Sequence, residues 1–179
     1  MKWNLDTTHS AAEFAVKHLM ISTVKGRFNA FSGTGETGAD GTIKSAELSI
    51  DAASINTNVE ARDNHLRSAD FFDVEKFPKI TFRSTKIDHK GSDISITGDL
   101  TIHGVTKPVT LKGEFTQPVT DPWGNSRSAL AVATKINRKD WGLHYNQALE
   151  AGGWVVGDEV KINVEFEAVA EKAQSSAAA

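Results

Sequence analysis

Apolar and polar residues alternate with period two along most of the chain, the spacing of strands that bury one face. Ile94, Ile96, Gly98, Leu100 and Ile102 fall on one face, with Ser95, Thr97, Asp99, Thr101 and His103 on the other. After Gly104 to Pro108 the alternation resumes with Val109, Leu111, Gly113 and Phe115. Further runs read Ala46-Leu48-Ile50, Ile80-Phe82, Leu130-Val132-Thr134-Ile136 and Val160-Ile162-Val164-Phe166. Turn-forming clusters separate them: Gly38 to Gly41, Asp88 to Ser92, Asp121-Pro122-Trp123-Gly124 and Gly152 to Asp158. Only Ser54 to Phe72 predicts a helix by pattern, while SAAEFAVKHLM looks helical by propensity alone.

These runs predict an all-β fold of roughly eight or nine antiparallel strands, apolar on one face only. A sandwich and an up-and-down barrel both fit. The long runs Ser92 to His103 and Val160 to Val169 favour a closed, extended barrel. A barrel of about eight strands is either filled by side chains or holds one small ligand, and alternation by itself does not separate the two. Neither an internal repeat nor a linker is visible, so residues 1–170 read as one domain and residues 171–179 as a flexible tail.

Composition narrows the function. With 179 residues, 39% hydrophobic, the chain is long enough for a substantial core, and the absence of cysteine excludes disulfides, thiol catalysis and thiolate metal sites. A net charge of −3 with mixed signs predicts no nucleic-acid partner. No run is long enough to span a bilayer and none is a basic amphipathic segment, so no stable membrane insertion is expected. MKWNLDTTHS has neither an apolar leader core nor a small-residue cleavage site, and a cytoplasmic protein is the expectation. An exposed sheet edge would favour a homodimer.

One stretch carries most of the candidate chemistry: RDNHLRSADFFD, Arg62 to Asp73. It reads as a short helix across one barrel end, with Phe71 and Phe72 plugging the apolar interior. Asp63 and His65 are two residues apart and do not face each other on a helix, which disfavours a catalytic pair. Two readings stay open for Arg62 and His65. They satisfy structural partners around the plug, or they meet a polar lipid head, for which the planar fork of an arginine is suited. His18 and Arg138 pose the same choice, with an acid such as Asp63 as a candidate partner for Arg138. Trp141 is placed to cover a barrel end. None of His9, His18, His65, His89, His103 and His144 lies in a metal-ligand spacing, and no GxSxG elbow is present. No metal, no cofactor and no catalytic residue are expected.

The chain resembles the YceI-like family of polyisoprenoid-binding, lipocalin-like barrels. The resemblance rests on WNLDTTHSAAEFAVKHLMISTVKGRF, SINTNVEARDNHLRSADFFDVEKFPKITFRST, GDLTIHGVTKPVTL, and INRKDWGL with VGDEVKINVEFEA, in that order along nearly the whole chain. It implies an extended antiparallel barrel with a central pore that binds long apolar chains such as isoprenoids or fatty amphiphiles. No catalytic chemistry is established for the family, its stress and lipid-carrier roles are loosely defined, and many relatives are exported. It also turns SAAEFAVKHLM into a strand, in keeping with the alternation Ala12, Phe14, Val16, His18.

The resulting expectation is a noncatalytic carrier that sequesters a long apolar chain in its lumen. Its expected ligand contacts are Phe14, Val16 and Phe28 near the N-terminus, Leu48, Ile50 and Phe82 in the middle, and Ile96, Leu100, Val132, Ile136, Ile162 and Val164 beyond. Phe71 and Phe72 cap the lumen, with His18, Arg62, His65 and Trp141 around its rim. The rival readings are an enzyme acting on a lipid or isoprenoid through His18, His65 and Asp63, and a solid barrel that binds another protein during stress.

Overall fold

The computed structural model describes residues 1–172. Ten strands are formed: β1 (Lys2–His18), β2 (Ser22–Phe28), β3 (Phe31–Thr37), β4 (Ile43–Asp51), β5 (Ile55–Asn56), β6 (Lys79–Lys90), β7 (Asp93–Ile102), β8 (Val105–Thr120), β9 (Ser126–Asn137) and β10 (Val156–Ala170). One helix, α1 (Glu60–Arg67), lies between β5 and β6. Strands β1, β3, β4, β6, β7, β8, β9 and β10 pair in that order, and β10 pairs back onto β1. The result is a closed eight-stranded antiparallel barrel with two extra strands, the closed barrel that the long strands favoured and the lipocalin-like form that the family resemblance implied. Closure leaves the ring no unpaired edge to manage.

β1 is the strand that propensity alone would have made helical. Its neighbours decide otherwise: Phe14 pairs with Ile162 on one side and Gly26 on the other, so the backbone groups are committed to ladders. Gly26 has a packing reason, since a Cβ there would collide with the Phe14 ring. Between Asp6 and Ala11 the register with β10 slips, and β1 changes partner from β3 to β2. The chain stabilises this irregularity itself: Thr8 donates to Asp6 through its N–H and hydroxyl, and Ser10 Oγ donates to Asp6 O at 2.6 Å. The first hairpin partner of β1 is therefore β2, outside the ring, and the topology departs there from a simple up-and-down order.

The helix is shorter than the pattern suggested. It ends at Arg67, and Phe71 and Phe72 sit in the turns that follow. Ser68 N–H donates to His65 O and Phe72 N–H to Leu66 O, closing the helix before the phenylalanines. Of the tail, residues 173–179 lie outside the described residues.

The interior divides into two buried clusters. One, around Phe28, Ile50, Ile55, Ile80, Leu100, Ile102, Trp141 and Leu143, lies at the α1 end. The other, around Ile94, Ile96, Phe115, Val132 and Val164, lies toward the β8–β9 turn. Phe82 and Phe166 touch both.

Candidate functional site: an apolar lumen

A cavity of about 280 Å³ runs inside the barrel between these clusters. Trp3, Leu5 and Ala168 line it at one end, and Val16, Leu66, Phe71, Phe72, Leu143 and Val156 at the other. From Val156 to Ala168 the strand rises about 40 Å, which a tilt near 40° reduces to roughly 30 Å of barrel height. Buried polar side chains on its wall are already partnered. Thr37 Oγ1 accepts from Trp3 Nε1 at 2.9 Å, and Ser128 Oγ donates to Thr116 O at 2.7 Å. Glu13, Glu36 and Glu47 border the lumen, but all three are exposed.

Most residues expected to touch a ligand are on this wall: Phe14, Val16, Phe28, Leu48, Ile50, Phe71, Phe72, Phe82, Ile96, Leu100, Val132, Ile136, Ile162 and Val164. Four expected with them are not, and each has a local reason. His18 is the last residue of β1, paired with Val156, and is not among the residues that line the cavity. Arg62 turns to Thr57, donating from Nε to its hydroxyl at 2.7 Å and from a terminal nitrogen to its carbonyl at 2.9 Å. His65 bonds Asp70 at 2.8 Å and stands edge-on to Phe71 and Tyr145. Trp141 is buried and donates from Nε1 to Leu100 O at 3.0 Å, so it packs the end of the barrel from outside the lumen.

The alternation had supplied Val109, Leu111, Phe115, Leu130 and Phe166 as inward positions, and they also line the cavity. Trp3, Leu66 and Leu143 escaped notice because each sits at an element end, where parity says little. Arg138 lines it too, and is 4% exposed. Its partner is not Asp63, which instead accepts from Thr57 N and Oγ1 at 2.9 and 2.6 Å. The guanidinium of Arg138 donates to the carbonyls of Gly157, Leu143 and Tyr145 at 2.6–2.9 Å, with Asp158 at 3.5 Å. Burial pushes its pKa down, and the Asp158 charge opposes that.

Outside the lumen, Asp6, His9 and Glu167 form the one group among the described residues whose spacing could hold a metal ion, with ligand atoms within 4.8 Å. Arg127 already donates to Asp6 and Glu167 there, and to Asp121 at 2.7 Å. Its cation supplies the charge a metal would bring. Hydrogen bonds from Thr8, then His9 and Arg127, hold the Asp6 carboxyl well below its usual range, and those from Arg127 and Asn125 do the same for Asp121.

A family model described as the YceI-like domain matches residues 3–168. The chain belongs to the YceI-like family. A UPF0312 protein of Staphylococcus aureus is 42% identical over 172 residues, which cover 94% of this chain and 95% of that protein. Among solved structures, a Campylobacter jejuni YceI protein superposes with a TM-score of 0.76 at 31% identity, covering 87% of this chain and 90% of that one. Two more distant structures share the fold. Burkholderia cenocepacia BcnA matches with a TM-score of 0.76 at 22% identity, covering 91% of this chain and 98% of that one. A polyisoprenoid-binding domain from Saccharophagus degradans matches at 0.70 and 21% identity, covering 94% and 98%. This YceI-like domain therefore shares the barrel fold of these solved structures, and no helix among its described residues is long and apolar enough to cross a membrane.

Proposed function

We propose that the protein binds a long apolar chain, an isoprenoid or fatty amphiphile, in its lumen and shields it from water without acting on it chemically. The observation that carries this reading is the cavity of about 280 Å³ inside the barrel, lined by apolar residues of both core clusters. That volume lies close to the ~300 Å³ lower bound of ordinary ligand pockets. Transfer of each methylene from water contributes about 0.8 kcal/mol, so ten supply roughly 8 kcal/mol before ordering costs. The Saccharophagus degradans domain, described as polyisoprenoid-binding, has the same fold.

Polar groups at the α1 end favour recognition of the chain over recognition of its head. Arg62, Asp63 and Arg138 are engaged by protein partners, which supports the structural reading of that cluster. The enzyme reading loses its residues for the same reason, since His18, His65 and Asp63 are absent from the wall of the lumen.

The test uses delipidated protein and a fluorescent long-chain fatty acid, with native mass spectrometry of gently purified material alongside. Wild type should take up the probe or carry a co-purified chain. Ile96→Trp should fill the lumen and abolish uptake while keeping the barrel's near-ultraviolet dichroism. Undiminished uptake by a folded Ile96→Trp protein would remove the lumen as the binding site.

A further inference from the structure

The turn between β1 and β2 departs from two rules at once. Leu19 and Met20 both have left-handed backbone, with φ of 52° and 61°. Hairpin turns of this kind are normally filled by Asn or Gly, because other side chains are strained there. The same turn holds Leu19, Met20 and Ile21 outward, 37%, 65% and 81% exposed. Neither burial nor backbone preference explains three large apolar residues at this position.

Trp154, 55% exposed, adjoins them. Leu19 N–H donates to Val155 O at 2.8 Å, and the Met20 thioether lies so close over Gly153 that a Cβ there would collide with the sulfur. The four residues thus lie close together on one exposed corner and make an apolar knob. It stands at the α1 end of the lumen, where Val16 and Val156 line the cavity and Tyr145 of the same loop packs on His65 and Phe71.

Basic charge lies behind the knob. The alternation that turns Phe14 and Val16 inward turns Ala15 and Lys17 outward. Lys25 and Lys161 pair with Ala15 from its two sides. All three lysines are exposed, and none makes an ion pair among the described residues.

We propose that this knob docks the protein on an anionic lipid surface. Leu19, Met20, Ile21 and Trp154 enter the boundary between head groups and acyl chains, while Lys17, Lys25 and Lys161 face the head groups. Shallow apolar insertion and basic attraction are the two components of reversible membrane binding, and tryptophan favours that boundary. A second copy meeting this face would bring its own three lysines against the first set, which disfavours self-association. Docking here would bring the α1 end of the lumen to the bilayer. The proposal stands on the knob and the lysines, and does not depend on what fills the lumen.

The experiment is flotation with vesicles of equal parts phosphatidylcholine and phosphatidylglycerol, against vesicles of phosphatidylcholine alone. Wild type should float with the anionic vesicles, and its tryptophan emission should shift to the blue. The triple variant Leu19→Asn, Met20→Gly, Ile21→Ser suits the left-handed turn, so it should melt no lower than wild type yet lose ~tenfold or more in vesicle affinity. Lys17→Gln, Lys25→Gln, Lys161→Gln together should cost on the order of a hundredfold and remove the preference for anionic vesicles. Fatty-acid probe uptake, measured on the same samples, should be unchanged in both, which separates failure of docking from failure of the lumen. The proposal is overturned if wild type stays free of anionic vesicles at low salt, or if the turn variant floats as well as wild type. It is also overturned if wild type dimerises without floating while the turn variant is monomeric, because the knob then belongs to a second copy of the chain.

Discussion

The two ends of the barrel are closed by different physics. At the β8–β9 end the closure is largely ionic. Arg127 bridges Asp6, Asp121 and Glu167, Asp121 accepts the N–H groups of Trp123 and Asn125, and Trp3 is pinned to Thr37. At the α1 end the closure is largely apolar. Phe71, Phe72, Leu66 and Leu143 cover the lumen, and buried Arg138 gathers carbonyls of the 142–157 segment. The ion pairs of the first end are only partly removed from water, with side-chain exposures of 7–31%, and Arg127 shares its charge among three carboxylates, so no one of these pairs holds the end by itself. The second depends on groups removed from water, so losing one leaves others unsatisfied. The consequence is a floor whose closure is shared among several groups and an α1 end whose stability rests on few residues.

Mutations should separate the ends in that order. Arg138→Ala should have the largest effect, since it strips donors from three carbonyls and loosens the loop they hold. A loss of about 3–5 kcal/mol in denaturant unfolding is expected, each unsatisfied acceptor costing ~1–3 kcal/mol. A loss under about 1 kcal/mol would mean that water replaces the guanidinium and that this end is not held from within.

Next come two isoleucines that separate packed core from lumen. Ile55, 1% exposed in the cluster at the α1 end, is absent from the cavity wall, whereas Ile162 lines it. Ile55→Ala should cost the ~2–5 kcal/mol of a packed core truncation, and Ile162→Ala clearly less in delipidated protein. Equal losses in the two variants would show that the barrel is packed throughout.

A smaller effect belongs to the floor. Trp3→Phe removes the donor to Thr37 and should cost about 1 kcal/mol, read as a fall of roughly 2–4 °C in melting temperature.

The smallest effect depends on pH. Folding lowers the pKa of Asp121, through Arg127 first, so its contribution is present above the unfolded value near 4 and fades as pH falls below it. Asp121→Asn should therefore melt lower than wild type at pH 7, and the two curves should converge in acid. His9 has the opposite sign. Its bond to Asp6 raises its pKa, so its contribution is complete below about 6.5 and declines as pH rises through the folded value. Parallel melting curves for wild type and Asp121→Asn across the acid range would show that the floor does not rely on this network.

The sequence by itself determined which residues of most strands face inward. Period-two alternation assigns each side chain to a face, and on β7 the alternation of buried and less buried positions follows it from Ile94 to Ile102. Tertiary structure alone decided how much of that interior stays empty, because parity states which way a side chain points and not how far the opposite wall stands. It also decided the partners of Arg62 and Arg138. Those partners are largely backbone carbonyls, which every residue carries and no sequence pattern marks. The change of neighbours along β1, and the exposure of Leu19, Met20 and Ile21 that follows from the projecting β1–β2 hairpin, were likewise invisible in a run of residues that reads locally as helix. Strand pairing joins residues far apart in the chain, and the register that places them is set only when the ring closes.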